Sequence, residues 1–154
     1  QVETRERNFT YLAEGMKEIK GVKPFDRDPR VTRWSIYYWN FKYIQEEFDD
    51  IPRDKFLSAI NAEGVPASVG AHGAPVYQNP LFQSMTGGNT WPLKCPSYGK
   101  IDYTKVCCPE AERIFKTEAV CIPHPAFLGD KEDMDLILEA IKKVRANTDE
   151  LRKG

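Results

Sequence analysis

The chain lacks a surplus of charge of either sign: 22 lysines and arginines stand against 23 aspartates and glutamates, a formal net charge of -1 over 154 residues. That balance gives no electrostatic reason to expect nucleic acid or an anionic membrane surface as partner. No apolar run approaches the roughly 20 residues that span a bilayer, and the N-terminus has neither the basic nor the apolar region of a signal peptide. A soluble, cytoplasmic protein is therefore expected. Cysteine is sparse and poorly spaced for metal. Cys95, Cys107, Cys108 and Cys121 form no C-x2-C pair, and two adjacent cysteines rarely offer both sulfurs to one tetrahedral ion. His72 and His124 add no ligand spacing. Free thiols in a reducing compartment are expected, with no metal site. Internal repeats and low-complexity segments are also lacking.

With 41% hydrophobic residues, the chain can bury a core of its own as one domain over residues 1–154. Phe9, Leu12, Ala13, Met16 and Ile19 recur at helical spacing from Val2 onward, with Gly21 as the expected helix stop. Gln1 and Val2 offer no capping side chain and follow no initiator methionine. This helix, over about residues 1–20, is expected to continue from a preceding domain; a frayed terminus left by processing is the plain alternative. Residues 34–43, WSIYYWNFKY, read as a strand covered on both faces in its first half, with Asn40 and Lys42 turning one face polar later.

Ile51-Pro52-Arg53-Asp54 opens a helix with Phe56, Leu57 and Ile60 as its buried stripe and Gly64 as its end. Residues 65–69 can form a second, short strand. Cys108-Pro109-Glu110 starts another helix, and residues 119–122 form a short apolar strand stopped by Pro123. Asp130 and Asp133 resemble a capping box for a terminal helix whose buried face is Met134, Ile137, Leu138, Ile141 and Val144. The elements add up to an α+β domain, a small, mostly antiparallel sheet with packed helices.

Function concentrates in residues 64–82, GVPASVGAHGAPVYQNPLF, and the long turn-rich stretch beyond them. Between Val69 and Val106 lie His72, Tyr77, Phe82, Trp91, Tyr98 and Tyr103 among many glycines and prolines, which neither helical nor strand periodicity explains. Loops this long are often binding loops, lids or disordered segments, and the bulky aromatics argue against disorder. Lys94 and Lys100 fall in this loop as isolated, solvated lysines.

The joint order of an N-terminal helix, an aromatic strand, IPRDKFLSAINAEGV, HGAPVYQNPLF, CPEAERI, AVCIPHP and DMDLILEAIKKV resembles the C-terminal small domain of the DegT/StrS-type sugar aminotransferases. These are enzymes of sugar biosynthesis, dependent on pyridoxal phosphate, that aminate keto-sugars on nucleotides or keto-cyclitols. The resemblance implies a homodimeric parent whose large domain holds the cofactor and its aldimine lysine, while the small domain closes over a keto-sugar or cyclitol substrate after an amino-acid donor has loaded the cofactor. It implies no cofactor-binding and no catalytic residue within this chain. No lysine here has the serine-led, glycine-followed context of the family's aldimine lysine, so the chain alone is expected to be inactive.

The resemblance places the substrate turn at His72, Pro75, Val76 and Tyr77. His72 and Tyr77 are its candidate substrate-binding residues. Tyr77 stands where the family more usually has histidine. It keeps a hydrogen-bonding tip without a group that titrates near neutrality, which suits a cyclitol or smaller keto-sugar better than a sugar nucleotide. A tyrosine packed under the loop with its hydroxyl on a backbone carbonyl is the structural alternative, as is a satisfied turn histidine at His72. His124 matches a family turn that is structural.

Two other classes remain open: a stand-alone small-molecule-binding regulatory module, and an interaction domain docking a partner through Tyr37, Trp39, Trp91 and Tyr98. The apolar faces of the first helix and of the aromatic strand are expected to meet a large domain or a second subunit.

Overall fold

The computed structural model describes residues 1–70, 73–84 and 102–153. The chain divides into two compact units, Gln1–Ala71 with Lys116–Gly154, and His72–Phe115.

The first unit is built on a three-stranded antiparallel sheet, β1 (Val22–Pro24), β2 (Tyr38–Tyr43) and β3 (Ala119–Pro123), with β2 in the centre. Val22 pairs with Tyr43, and Trp39 with Ile122. Side chains alternate across a strand, so Trp39, Phe41 and Tyr43 share one face with Val120 and Ile122, and all five are buried. Asn40 is exposed on the other face. Helices α1 (Val2–Met16), α2 (Arg53–Ala62) and α5 (Lys131–Ala146) supply Phe9, Leu12, Met16, Phe56, Ile60, Met134 and Ile141 to the same core. Burial of each large side chain contributes about 1.5–3 kcal/mol. A short α6 (Thr148–Lys153) follows α5. An α+β domain with packed helices and an antiparallel sheet is thus what the first unit forms.

Several local expectations hold because one residue decides them. Asp130 accepts the Asp133 N–H at 3.1 Å while the Asp133 carboxylate accepts the Asp130 N–H at 3.0 Å, closing the capping box of α5. The five expected apolar positions of α5 are all buried. Gly64, with φ at 93°, follows α2.

Others are corrected. The aromatic strand begins at Tyr38, four residues later than expected, and Tyr37 is 70% exposed, so its first half is not a doubly covered strand. Trp34 leaves the sheet to meet Phe9 edge-on, with ring centroids 5.1 Å apart. Residues 65–69 contribute only an isolated bridge, Ser68 to Cys121. The three-residue β1 was not foreseen, being too short to show alternation.

Helix α1 stops at Met16 instead of running to Gly21. Its apolar face, and that of the aromatic strand from Tyr38 on, are buried in this unit's own core. Trp39, offered as a docking aromatic, is 2% exposed, which removes it from that role; Trp91 and Tyr98 lie outside the described residues.

Two polar anchors hold the unit's periphery. The buried Asn8 donates through Nδ2 to the carbonyls of Phe127 and Gly129, at 3.1 and 2.8 Å, fixing the approach to α5. Asp49, with φ at 55°, accepts from Arg145 at 2.5 Å and from the Thr148 hydroxyl at 2.8 Å, while Arg152 donates to its carbonyl at 2.7 Å. The loop after β2 is thereby tied to the C-terminal helices. Among the described residues no helix is long and apolar enough to cross a membrane.

Gly21 sits at φ 91°, and a Cβ there would lie 2.7 Å from the Phe48 ring and 3.2 Å from the Glu47 backbone. Gly21→Ala should therefore destabilise the fold by about 1–3 kcal/mol in denaturant unfolding, from backbone strain and overpacking together. The hydrogen bonds from Arg145 and Thr148 hold the Asp49 carboxyl below its ordinary value. The folded state thus favours the ionised form, so Asp49's contribution is complete above its unfolded value near pH 4 and is lost as the pH falls through the lower folded value. Stability measured from pH 7 to pH 2 should fall less steeply in Asp49→Asn than in the parent sequence.

Candidate functional site

The second unit carries the turn singled out in the sequence. Gly73, at φ 69°, admits a left-handed turn, and Pro75 then starts a 3-10 turn, Val76–Gln78. Asn79 precedes Pro80 and accepts the Leu81 N–H at 3.0 Å, which starts the short α3 (Pro80–Ser84) in the manner of an N-cap. A further 3-10 turn, Tyr103–Lys105, is capped by Asp102. Pro109 opens α4 (Pro109–Arg113), which continues as a π-helical turn, Ile114–Glu118. Gln83 ties these pieces together, its Nε2 donating to the carbonyls of Tyr77 at 2.6 Å and Tyr103 at 3.2 Å.

These elements enclose an open cleft of about 540 Å³ bordered by Pro75, Tyr77, Phe82, Tyr103, Cys108 and Phe115, among others. Phe82 and Tyr103 form one aromatic wall, with ring centroids 5.2 Å apart. The Tyr77 hydroxyl donates to a carboxylate oxygen of Glu112 and accepts from Gln78 Nε2 at 3.2 Å and, more weakly, from the Cys108 N–H at 3.4 Å. The Glu112 carboxylate, as acceptor of that proton, raises the phenol above its ordinary value, with partial burial adding to the effect. Tyr77 therefore keeps its proton at any physiological pH. Apolar and aromatic walls with a few fixed polar groups suit a small ring compound that stacks by its C–H face and hydrogen-bonds by its edge.

Of the sequence candidates, Tyr77 borders the cleft, with its hydroxyl on a carboxylate and not on the backbone carbonyl considered for it. His72 lies outside the described residues, as do Lys94, Lys100 and Cys95. His124 sits in the first unit, in the 3-10 turn His124–Phe127, where its Nδ1 accepts from the Arg5 guanidinium at 3.1 Å. Cys107 and Cys108 are exposed, and Cys121 is buried. Among the described residues no group of three or more His, Cys, Asp or Glu could hold a metal ion.

Sequence reasoning did not single out Glu112. It showed only an acid in the first turn of a helix, and nothing local connects it to a tyrosine 35 residues earlier. Its spacing was the usable signal: Cys108, Ala111 and Phe115 all border the cleft, and position 112 shares their helical face.

No described lysine or arginine borders the cleft. The described residues that border it offer no amine to hold a cofactor as a Schiff base.

No protein-family profile matches the chain. It is 38% identical over 144 residues to a protein of Micromonospora echinospora named as an L-glutamine:3-amino-2,3-dideoxy-scyllo-inosose aminotransferase, covering 93% of this chain and 34% of that protein. Identity is 36% over 142 residues to the protein so named from Streptomyces kanamyceticus, covering 91% and 33%. It is 28% over 149 residues to an L-glutamine:2-deoxy-scyllo-inosose aminotransferase of Streptoalloteichus tenebrarius, covering 96% and 34%. The chain thus spans about a third of the length of the curated relatives it matches. In fold it is similar to part of 3-amino-5-hydroxybenzoic acid synthase, with a TM-score of 0.66 at 22% identity over 95% of this chain and 34% of that one. The resemblance to the DegT/StrS-type aminotransferases carried by the motifs is borne out over nearly the whole chain.

Proposed function

We propose that residues 1–154 serve as the small domain of a pyridoxal-phosphate-dependent aminotransferase that transfers an amino group from L-glutamine to a keto-cyclitol, and that the cleft around Tyr77 receives the acceptor ring. The observation that carries this reading is the cleft itself, with its aromatic walls and a hydroxyl held by a carboxylate, in the segment HGAPVYQNPLF that resembles the family's substrate turn. The names of the relatives support both the donor and the acceptor class.

Pyridoxal phosphate would supply the electron sink for amino transfer. Its anchor would lie in sequence beyond this chain, since no lysine here has the serine-led, glycine-followed context of the family's aldimine lysine. The work left to this chain is binding. Phe82 and Tyr103 would cover a face of the ring, Tyr77 would fix its edge, and closure of the domain would exclude water from the reacting ketone. A homodimeric parent, with His72 as a second substrate contact, belongs to the same reading.

Borohydride reduction of the purified parent holoenzyme, followed by peptide mapping, tests it. The pyridoxyl group should appear on a lysine outside residues 1–154, and the 154-residue chain alone should retain no stoichiometric cofactor and transaminate nothing. Stoichiometric labelling of a lysine within this sequence would contradict the assignment.

A further inference from the structure

We propose that Cys107 and Cys108 form a modification site, a vicinal dithiol at the edge of the cleft that a small-molecule disulfide closes reversibly into a Cys107–Cys108 bridge. The inference does not depend on what the cleft binds.

Free cysteine is among the most buried residue types. Cys121 follows that rule, whereas Cys107 and Cys108, also free thiols, are both exposed. Adjacency gives this pair its chemistry. Peptide-bonded neighbours stay within reach of one another whatever surrounds them, so a mixed disulfide on one sulfur is resolved by the other in an intramolecular step. One cysteine, as thiolate, attacks a sulfur of the small disulfide and expels the first thiolate; its neighbour then loses its proton, attacks the protein-bound sulfur and expels the second. The two cysteines give up two electrons and two protons, and the small disulfide leaves as two thiols. Adjacent Cα atoms lie about 3.8 Å apart, closer than the roughly 4.4–6.8 Å of relaxed disulfides. The bridge is therefore strained and easily reduced, which suits a reversible step and not a structural one.

The position of the pair connects its oxidation to the cleft. Cys108 borders the cleft and is the residue from which α4 starts: its carbonyl accepts the Glu112 N–H at 3.0 Å, and its own N–H donates to the Tyr77 hydroxyl at 3.4 Å. The Cys107 thiol lies 3.9 Å from Oε1 of Glu112, the same oxygen that accepts from the Tyr77 hydroxyl. Oxidation removes the thiol proton and with it that contact. Drawing the two sulfurs into one bond also turns the backbone between them, which moves both polar groups of Cys108. The start of α4 and the Tyr77 hydroxyl thus lose part of their hold together.

Thiol counting and peptide mass spectrometry on the full-length protein, held with oxidised glutathione under native conditions, test the site. Wild type should lose two thiols and retain no glutathione, the peptide holding residues 107 and 108 should be lighter by two hydrogens, and dithiothreitol should restore both thiols. Cys107→Ser and Cys108→Ser should each fail to close the bridge, and whichever keeps the attacking thiol should stop at the mixed disulfide; Cys95→Ser should behave as wild type. Amide hydrogen exchange at Glu112 should quicken about five- to tenfold in the oxidised wild type, as for the loss of one helix cap, and return on reduction. A wild type that keeps both thiols, a bridge from either one to Cys95, or an adduct that the neighbour never resolves overturns the site. A bridge that leaves the Glu112 exchange unchanged overturns its link to the cleft.

Discussion

The first unit depends on the alternation of Trp39, Phe41 and Tyr43 along the central strand. A strand with three large aromatics on one face must bury that face, and it can do so only if helices arrive from both directions of the chain. Helix α1 comes before it, and α2 and α5 after it. Tyr43 shows how tight the requirement is. Its ring lies against Phe56 and Phe48, at 4.8 and 5.1 Å, and its hydroxyl donates to the Ile51 carbonyl at 2.7 Å. Burial pushes its phenol far above the ordinary range, so the hydroxyl serves as a fixed structural donor.

The second unit follows a different logic. Its short helical turns bury little, and all of the core cluster found among the described residues lies in the first unit. Side-chain hydrogen bonds take over the work of cohesion. Gln83 gathers two carbonyls, Asn79 and Asp102 cap their turns, and Tyr77 is linked to Glu112. Among the described residues, aromatic side chains border an open cleft that a ligand ring could fill. Among the described residues of this unit, an open cleft and a sparse core thus go together.

What could be read in the sequence was what local patterns determine. The face of α5, its acidic capping box, the proline starts of α2 and α4, and the glycine after α2 all depend on residues within one or two turns of each other. The elements misjudged depend on distant partners. Only pairing with Val120 and Ile122 reveals that the strand starts at Tyr38, and only the core reveals that Trp34 turns aside to Phe9. Asn8 and Asp49 look like ordinary surface residues until the segments more than 90 residues away that they bind are in place. The site divides the same way: the HGAPVYQNPLF turn carried Tyr77, whereas Glu112 emerged only when α4 was set beside that turn.

A crystal structure of the full-length protein with a cyclitol bound would bear most directly on the role assigned to the cleft. The ring should lie in van der Waals contact with Tyr77 and the aromatic wall of Phe82 and Tyr103. A cyclitol held with no atom in contact with residues 73–84 or 102–115 would contradict it.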